Sequence, residues 1–598
     1  MKPPRRKVTP PMVAVIAVAV FWLANRMGHL YAVTGGSTGD RLTAALDVVA
    51  VLSPPYGLYL TRTALLWGFG GLGLAALVAA WIVANQHKLM PGAEHGTARW
   101  GTPEDIKPFI DPKPENNIIL TETERLSMAG RMKVTADDDY NRNKNVLIFG
   151  GSGSRKTRGV IKPNLLQLSC NYVVTDPKGE LLEDCGGALL KSGYKVKIFN
   201  LKDRDKSDHY NLFAYLHSED DLLKIAKNLI TNMKDDPNAK PNSDPIWEEG
   251  MTALIEAIFG YVLFELPENE RNMNSAMRLF RLLQVKEDVP GYVSPLDLVF
   301  QELGQEKPDA FALKQWEIYK MAAPKTAQSI NVSLGLRLSA FNIPSIQNIV
   351  ADDDLDLLDF AEDKKVALFV VLPDTDPSFN FLAAVMYQQL FDMLALAADH
   401  SPGRRLPRHC RFLLDEFANI GQIPHFQTLI ATIRSREISV TIVYQTLAQL
   451  KSQYKDDWPT IMGNCDCWLF LGGDNNPDNL KYVCELLGKA TIETLNPSET
   501  NGSHGSYTRA YQTLARDLLT PDEIRTDKRG WCLLVISGLP PFHSRKYDLT
   551  KHPNYKLCAD ADPANRFTYE KRKEMEMAGF FQGVKSATTI KLSELNSL

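Results

Sequence analysis

Apolar and polar positions along this chain follow three distinct patterns. At the front, residues 63 to 84 (TALLWGFGGLGLAALVAAWIVA) carry no charge, and a run of ~20 such residues is long enough to span a bilayer as a helix. An earlier apolar run, residues 11 to 24, is shorter, and no small-residue cleavage site follows to make it a signal-peptide core. Extended past Asn25 and Arg26 toward Tyr31, it predicts a first span at about 11–31, with the second at about 63–84. In the second run Gly71, Ala75 and Ala79 recur at spacing four, which lets helices approach closely and hints at self-association.

From about residue 140 the pattern changes. Short continuous apolar runs alternate with helical periodicity. The runs are NVLIFG (145–150), NYVVTD (171–176), KVKIF (195–199), KVALFVVL (365–372), RFLLDE (411–416), SVTIVYQ (439–445), CWLFLG (467–472) and WCLLVIS (531–537). Runs of this kind, bounded by turn residues, predict strands buried on both faces, as in a parallel sheet with helices on either side. The expectation is one large doubly wound α/β domain. Between the third and fourth runs the periodicity is helical. In residues 244–265, Trp247, Met251, Leu254, Ile255, Ile258 and Val262 recur at three and four. This predicts an inserted all-helical unit at 246–345, with a small core of its own, inside a domain formed by 91–245 and 346–555. After 555 the chain is mixed in charge and poor in aromatics, and reads as a loose tail, 556–598.

Composition narrows the function. With 598 residues the chain is too long for one core, and length predicts ~three or four folded units. The net charge of −4 excludes a molecule that is basic all over, so any nucleic-acid surface is local. The eight cysteines form no C-x-x-C pair and several lie in apolar runs, which predicts buried, reduced thiols. Cys465 and Cys467 make only a weak metal pattern, since no second ligand pair follows at zinc spacing. Lys2, Arg5, Arg6 and Lys7 precede the first span and Lys88 follows the second. The positive-inside rule then puts the N-terminus and the large remainder, beyond a 1–90 anchor, in the cytoplasm.

The candidate chemistry starts at Gly150, Gly151, Ser152, Gly153, Ser154, Arg155, Lys156 and Thr157. This run nearly matches G-x-x-x-x-G-K-[ST] and has the required context, a strand before and a helix after. Loop amides and the helix N-terminus would wrap a β-phosphate, Lys156 would reach the β- and γ-phosphates, and the Thr157 hydroxyl would hold Mg²⁺. A second strand tip supplies Asp415 for the metal shell and Glu416 to polarise the attacking water. Gln445, at the end of the next strand, is placed to sense the γ-phosphate beside Glu416. Arg434 has two readings: an ordinary helix-end cation, or an arginine finger reaching into a neighbouring subunit. Together these residues predict a nucleotide site for ATP and Mg²⁺.

On these stretches the chain resembles the type IV secretion coupling proteins, the TraG-like conjugation ATPases. The matching segments are EHGTARWGTPED (94–105), KTRGVIKPN (156–164), TDPKGEL (175–181), LLDEFANIGQIPHFQTLIATIRSREIS (413–439), RDLLTPDEIR (516–525) and PFHSRKYDL (541–549). Segment 216–350 and the last forty residues match weakly. The resemblance implies a membrane anchor, a RecA-like nucleotide-binding domain and an all-helical insertion. It further implies a ring of six at the inner face of a conjugation channel, multi-pass in the cell membrane. Such a ring hydrolyses ATP at its subunit interfaces, receives single-stranded DNA attached to a relaxase, and hands it to the other secretion-channel proteins. Lys156, Thr157, Asp415, Glu416, Arg434 and Gln445 fall on the family's motif positions. A ring needs only its pore to be basic or polar, which accommodates the near-neutral charge.

Arg155 is the departure, since the pattern has glycine there. If the backbone is left-handed at that residue, arginine costs ~1–2 kcal/mol before any clash with nucleotide. The expectation is a surviving fold with weakened nucleotide affinity and turnover. A non-hydrolysing cargo receptor therefore stands beside the motor reading. Two further alternatives are a coupler for protein cargo and a chromosome-partitioning DNA pump of the related FtsK-like group. The TDPKGEL (175–181), IGQIPHFQTLIATIRSR (420–436) and KYDL (546–549) stretches resemble the conjugation branch better.

Overall fold

The computed structural model describes residues 10–53, 57–84, 93–128, 142–233, 245–284, 292–373, 376–499 and 507–577. Asp244 and residues 578–598 of the expected tail lie outside these. Contacts divide the chain into two compact units, Met1–Glu94 and His95–Leu598, fewer than length alone suggests.

In the first unit, helices Pro10–Val33 and Arg62–Ala84 are long and apolar enough to cross a membrane. They pack against each other through small residues: a Cβ on Gly71 would strike Ala24, and one on Gly28 would strike Trp67. The spacing-four face that hinted at contact between chains is thus used, at Gly71, within the chain, while Ala79 is exposed. Of the polar pair in the first helix, Asn25 is hydrogen-bonded internally, while Nε and Nη1 of Arg26 are buried with no hydrogen-bond partner among the described residues. Asn25 donates to the Tyr59 carbonyl and accepts its N–H, both at 2.9 Å. The Arg26 guanidinium lies 5.1 Å from the Trp22 ring centroid and 5.9 Å from that of Tyr59, an amphipathic arrangement for a buried cation.

The second unit is built on strands β1 (Asn117–Ile119), β2 (Arg125–Ser127), β3 (Val146–Phe149), β4 (Asn171–Asp176), β5 (Lys195–Asn200), β6 (Val366–Val371), β7 (Cys410–Leu414), β8 (Ile438–Tyr444), β9 (Cys467–Phe470), β10 (Lys489–Glu499), β11 (Tyr507–Asp517), β12 (Trp531–Ile536) and β13 (Phe542–Arg545). Nine of them form one sheet in the order β13-β12-β9-β3-β8-β7-β4-β6-β5. From β9 to β5 every pairing is parallel. All eight apolar runs are strands of this sheet. The last run, β12, departs from the parallel expectation: it runs antiparallel to β9 and extends the edge with β13. The connection from β9 runs through helix Pro477–Leu487, the β10–β11 ribbon and helix Pro521–Thr526, and it starts and ends at the same end of the sheet, so β12 enters antiparallel.

Side-chain alternation sorts the sheet into two faces. Leu147 and Phe149 of β3 join one core cluster and Val146 and Ile148 the other. The first face is covered by helix Asn380–His400, apolar enough in composition to be a membrane span but 72% buried over that window. Helices Glu219–Asn232 and Pro245–Phe264 stack outward from it. Their buried residues, including Met251, Ile255 and Ile258, belong to the same cluster as Phe149 and Phe412. The helices between β5 and β6 therefore share the sheet's core, where the sequence predicts a separate one. On the second face, helix Glu180–Lys191 carries the segment expected to be loose. Ala559 N–H donates to the Asp184 carbonyl at 3.0 Å and Phe567 N–H to Glu183 at 2.9 Å. Cys558 and Phe567 are buried there, and ion pairs of Asp560 with Lys162 and of Arg572 with Asp208 add to the backbone bonds that hold the segment. All eight cysteines are buried and free of disulfides.

Candidate active site

The C-terminal ends of β3, β7 and β8 lie side by side, where ligands bind in open α/β sheets. The loop after β3 is fixed by backbone bonds. Gly150 N–H donates to Tyr444 O at 3.2 Å, Gly151 N–H to Gly472 O at 3.0 Å, and Ser154 N–H to Gly151 O at 3.2 Å. A Cβ on Gly151 would collide with the Gly473 carbonyl, so close backbone approach demands glycine there. Ser152 and Gly153 form the exposed tip. After the loop, Thr157–Ile161 is wound as a π-helix, Lys162 N–H donating to Thr157 O. Pro163 follows and has no N–H to give an α-helical bond to Gly159, which favours the wider turn.

Arg155 has φ 69°, squarely left-handed. Its side chain is exposed, and its Cβ lies beside Gly159. Burial, with the Arg155 charge adding to it, holds the neighbouring Lys546 ammonium below its ordinary range.

Lys156 is buried and donates to the carbonyls of Gly150 (2.7 Å) and Gly151 (3.3 Å). Burial lowers its proton affinity, opposed by the charges of Asp415 and Glu416. Thr157 Oγ1 donates to Asp415 Oδ2 at 2.7 Å. Asp415 is 3% exposed, and burial raises its pKa against the Thr157 hydrogen bond. Its second oxygen, Oδ1, is buried with no hydrogen-bond partner among the described residues, as is Ser154 Oγ. An orphaned carboxylate oxygen beside a hydroxyl is a donor set that fits Mg²⁺, a hard cation that takes one or two protein oxygens and completes its shell from phosphate and water.

Glu416 has φ 49°, a left-handed turn at the strand tip that redirects its side chain. Its Oε1 accepts from Gln445 Nε2 at 3.2 Å and its Oε2 from Asn419 Nδ2 at 3.3 Å. Lys156, Thr157, Asp415, Glu416 and Gln445 thus come together in one chain. Arg434 does not join them. It is exposed in the turn Ile433–Arg436 that precedes β8, and β8 carries the chain about 20 Å to Gln445 at its far end.

Two contributors escape the sequence reading. Asp176 ends β4 next to β7, accepts from Gly179 N–H and Leu182 N–H at 2.9 Å each, and is buried. Burial pushes its carboxyl up to about 6, with the Asp415 charge adding. An acidic residue closing an apolar run, as in 411–416, is the signal that could have found it. The Gly472–Gly473 turn after β9 backs the loop, and only its double glycine marks it.

This geometry can hold a nucleotide polyphosphate with a divalent cation. The family model described as type IV secretory system conjugative DNA transfer matches residues 110–568. Conjugal transfer protein TraG of Rhizobium radiobacter is 24% identical over 405 residues, covering 66% of this chain and 60% of that protein. The chain thus spans about three fifths of that relative's length. Conjugal transfer protein TraG of Escherichia coli is 23% identical over 539 residues, 82% of this chain and 81% of the relative. Among solved structures, the bacterial conjugative coupling protein TrwBdeltaN70 in its unbound monoclinic form matches with a TM-score of 0.53 and 15% identity, over 78% of this chain and 99% of its own. TrwB in complex with ADP and Mg²⁺ matches with a TM-score of 0.53 and 14% identity, over 76% and 97%. The structural likeness is one of fold, RecA-like. With more than half its length matched by the family model, the chain belongs to the type IV secretory system conjugative DNA transfer family, the type IV coupling proteins.

Proposed function

We propose that the protein is a membrane-anchored coupling ATPase of a conjugative type IV secretion system. In this reading helices Pro10–Val33 and Arg62–Ala84 cross the cell membrane, with the N-terminus and the large remainder cytoplasmic. The nucleotide-binding domain (91–245 and 346–555) and the inserted helices (246–345) assemble as a ring of six. The ring recruits relaxase-bound single-stranded DNA, delivers it to the other channel proteins and drives transfer by ATP hydrolysis. The observation that carries the reading is the Thr157–Asp415 bond with its unpaired Asp415 oxygen, beside a loop that ends in Lys156.

In the mechanism, loop amides and Lys156 hold the phosphates, and Thr157 and Asp415 hold Mg²⁺. When bound, the metal ion offsets the charge that builds on the transferring phosphoryl group. Glu416, aimed by Gln445 and Asn419, polarises the attacking water. Gln445, whose amide already contacts Glu416, senses whether a γ-phosphate is present. Arg434, far from its own site, completes that of a neighbouring subunit.

Two tests separate the parts. In cells carrying the matching secretion system, Lys156→Ala abolishes transfer of a marked plasmid while the relaxase–DNA adduct is still captured. Unchanged transfer overturns the motor reading. Mixing Lys156→Ala chains with Arg434→Ala chains restores part of the turnover if Arg434 acts across the interface, and none if it does not. The left-handed Arg155 favours a second reading, a non-hydrolysing cargo receptor of the same system. Capture of cargo without ATP turnover supports it, and stimulation by protein effectors in place of DNA makes the chain a coupler for protein cargo.

A further inference from the structure

We propose that Glu437 is a positioning residue: its buried contacts with Lys144 and His409 fix the turn that presents Arg434 and tie it to the roots of β3 and β8. The inference rests on the reading of Arg434 given above.

The turn Ile433–Arg436 is clamped where it ends, by two adjacent residues. Arg436 pairs with both oxygens of Asp399, at 3.0 and 2.9 Å, and donates back across the turn to Thr432 O at 3.0 Å. The next residue, Glu437, has φ 62°, and a non-glycine residue is held in that region only when its surroundings over-determine it. Those surroundings are specific. Glu437 Oε2 accepts from Lys144 Nζ at 3.2 Å and from His409 Nδ1 at 2.9 Å, and Oε1 faces Arg405 Nη1 at 3.9 Å. The Glu437 carbonyl accepts from Cys410 N–H at 2.9 Å and that of Arg436 from Leu406 N–H at 3.2 Å.

The chemistry of the network is self-consistent. Burial pushes Glu437 up, but His409 and Lys144 outweigh it and hold the carboxyl at about 2. Burial and the Lys144 charge keep His409 at about 4, so its ring is neutral. A carboxylate only accepts, so Nδ1 carries the ring proton and Nε2 accepts from the Ser439 hydroxyl, 2.8 Å away. The order Ser439–His409–Glu437 has the connectivity of a hydrolytic triad. Ser439, however, is fully buried within β8, where no substrate reaches its hydroxyl. The network holds a shape.

What it holds is the junction of two strands. Lys144 lies two residues before β3, and Asn145 Oδ1 accepts from Val440 N–H of β8 at 3.0 Å. The other ends of these strands carry the phosphate loop and Gln445. One tie therefore connects the arginine turn to both arms of the chain's own site. A shift of about 1 Å in a group that acts on the transition state can cost about 10²-fold in rate.

The test uses the full chain in lipid nanodiscs with single-stranded DNA. It measures kcat, KM and binding of a fluorescent ATP analogue for Arg434→Ala, Glu437→Ala, Glu437→Gln and the double variant Arg434→Ala/Glu437→Ala. The expected result is a loss of about 10²-fold in kcat for Glu437→Ala, with analogue affinity within about threefold of the parent. The double variant should be no slower than Arg434→Ala alone, and Glu437→Gln, which keeps an acceptor for the His409 proton, should recover about tenfold. If Glu437→Ala fails to fold, Glu437→Gln with and without Arg434→Ala supplies the same cycle. Parental turnover in Glu437→Ala, or losses that multiply in the double variant, overturns the inference and leaves the reading of Arg434 intact. Parental turnover in Arg434→Ala overturns that reading and the inference with it.

Discussion

Arg155→Gly is the substitution whose outcome the loop geometry defines most closely. Arg155 sits at φ 69° in the position where phosphate loops place glycine. A side chain in that region costs about 1–2 kcal/mol, because Cβ crowds the following carbonyl. The loop is held closed by the bonds of Gly150, Gly151 and Ser154, and the strain works against them. Nucleotide needs the closed form, so the strain lowers apparent affinity by the fraction of loop that opens. Removing 1–2 kcal/mol is worth at most about 5- to 30-fold. The informative control is Arg155→Ala, which removes the guanidinium and keeps Cβ and its strain. With a fluorescent ATP analogue titrated onto the full chain in nanodiscs, glycine should tighten binding by more than about twofold and up to about 5- to 30-fold, and alanine by less than about twofold. A full gain with alanine would place the fault in the guanidinium. Equal affinities in all three would show a loop already closed despite its strain, and refute the reasoning.

Asp176 gives a pH prediction. Burial pushes its carboxyl up to about 6 in the folded chain, against its ordinary 3.8 when unfolded, so the folded chain binds the extra proton between those values. Its ionisation therefore costs stability progressively as pH rises from about 4 to about 6, by about 3 kcal/mol in all. Chemical denaturation of the parent against Asp176→Asn should show this difference growing across that window and flat above it; parallel profiles refute it. Asp415→Asn should leave the fold intact but remove the Mg²⁺ enhancement of analogue binding, by about tenfold or more, if the orphaned oxygen is the metal donor proposed above. Retained enhancement excludes Asp415 from the metal shell. Gly151→Ala should lose analogue binding altogether, because its Cβ meets the Gly473 carbonyl and the loop must move.

How much of this was legible in the sequence depended on whether a residue's role was local. The eight apolar strands were legible because burial on both faces leaves a continuous run. β13 (FHSR) was not, being short and half polar at the sheet edge. The β10–β11 ribbon was hidden by Pro497 and by polar residues on both faces. Lys156, Thr157, Asp415, Glu416 and Gln445 were legible because each closes a strand or opens a helix, and strand tips converge. Their distances were not, nor was the shared core of the inserted helices, which depends on packing against Asn380–His400. The Glu437–His409–Lys144 cluster was invisible, since it joins residues far apart in sequence that carry no motif. The left-handed backbone at Arg155 could be anticipated only because the motif expects glycine there.

The most direct test of the account is ATP hydrolysis by the full chain in nanodiscs with single-stranded DNA, comparing the parent with Lys156→Ala and Glu416→Gln. The account predicts turnover in the parent that is stimulated by DNA and lost in Lys156→Ala. It predicts nucleotide binding with turnover reduced about 10²-fold or more in Glu416→Gln. Turnover that survives Lys156→Ala, or a parent that binds nucleotide and DNA without hydrolysing, would contradict the motor and leave a coupling protein that receives cargo but does not drive it.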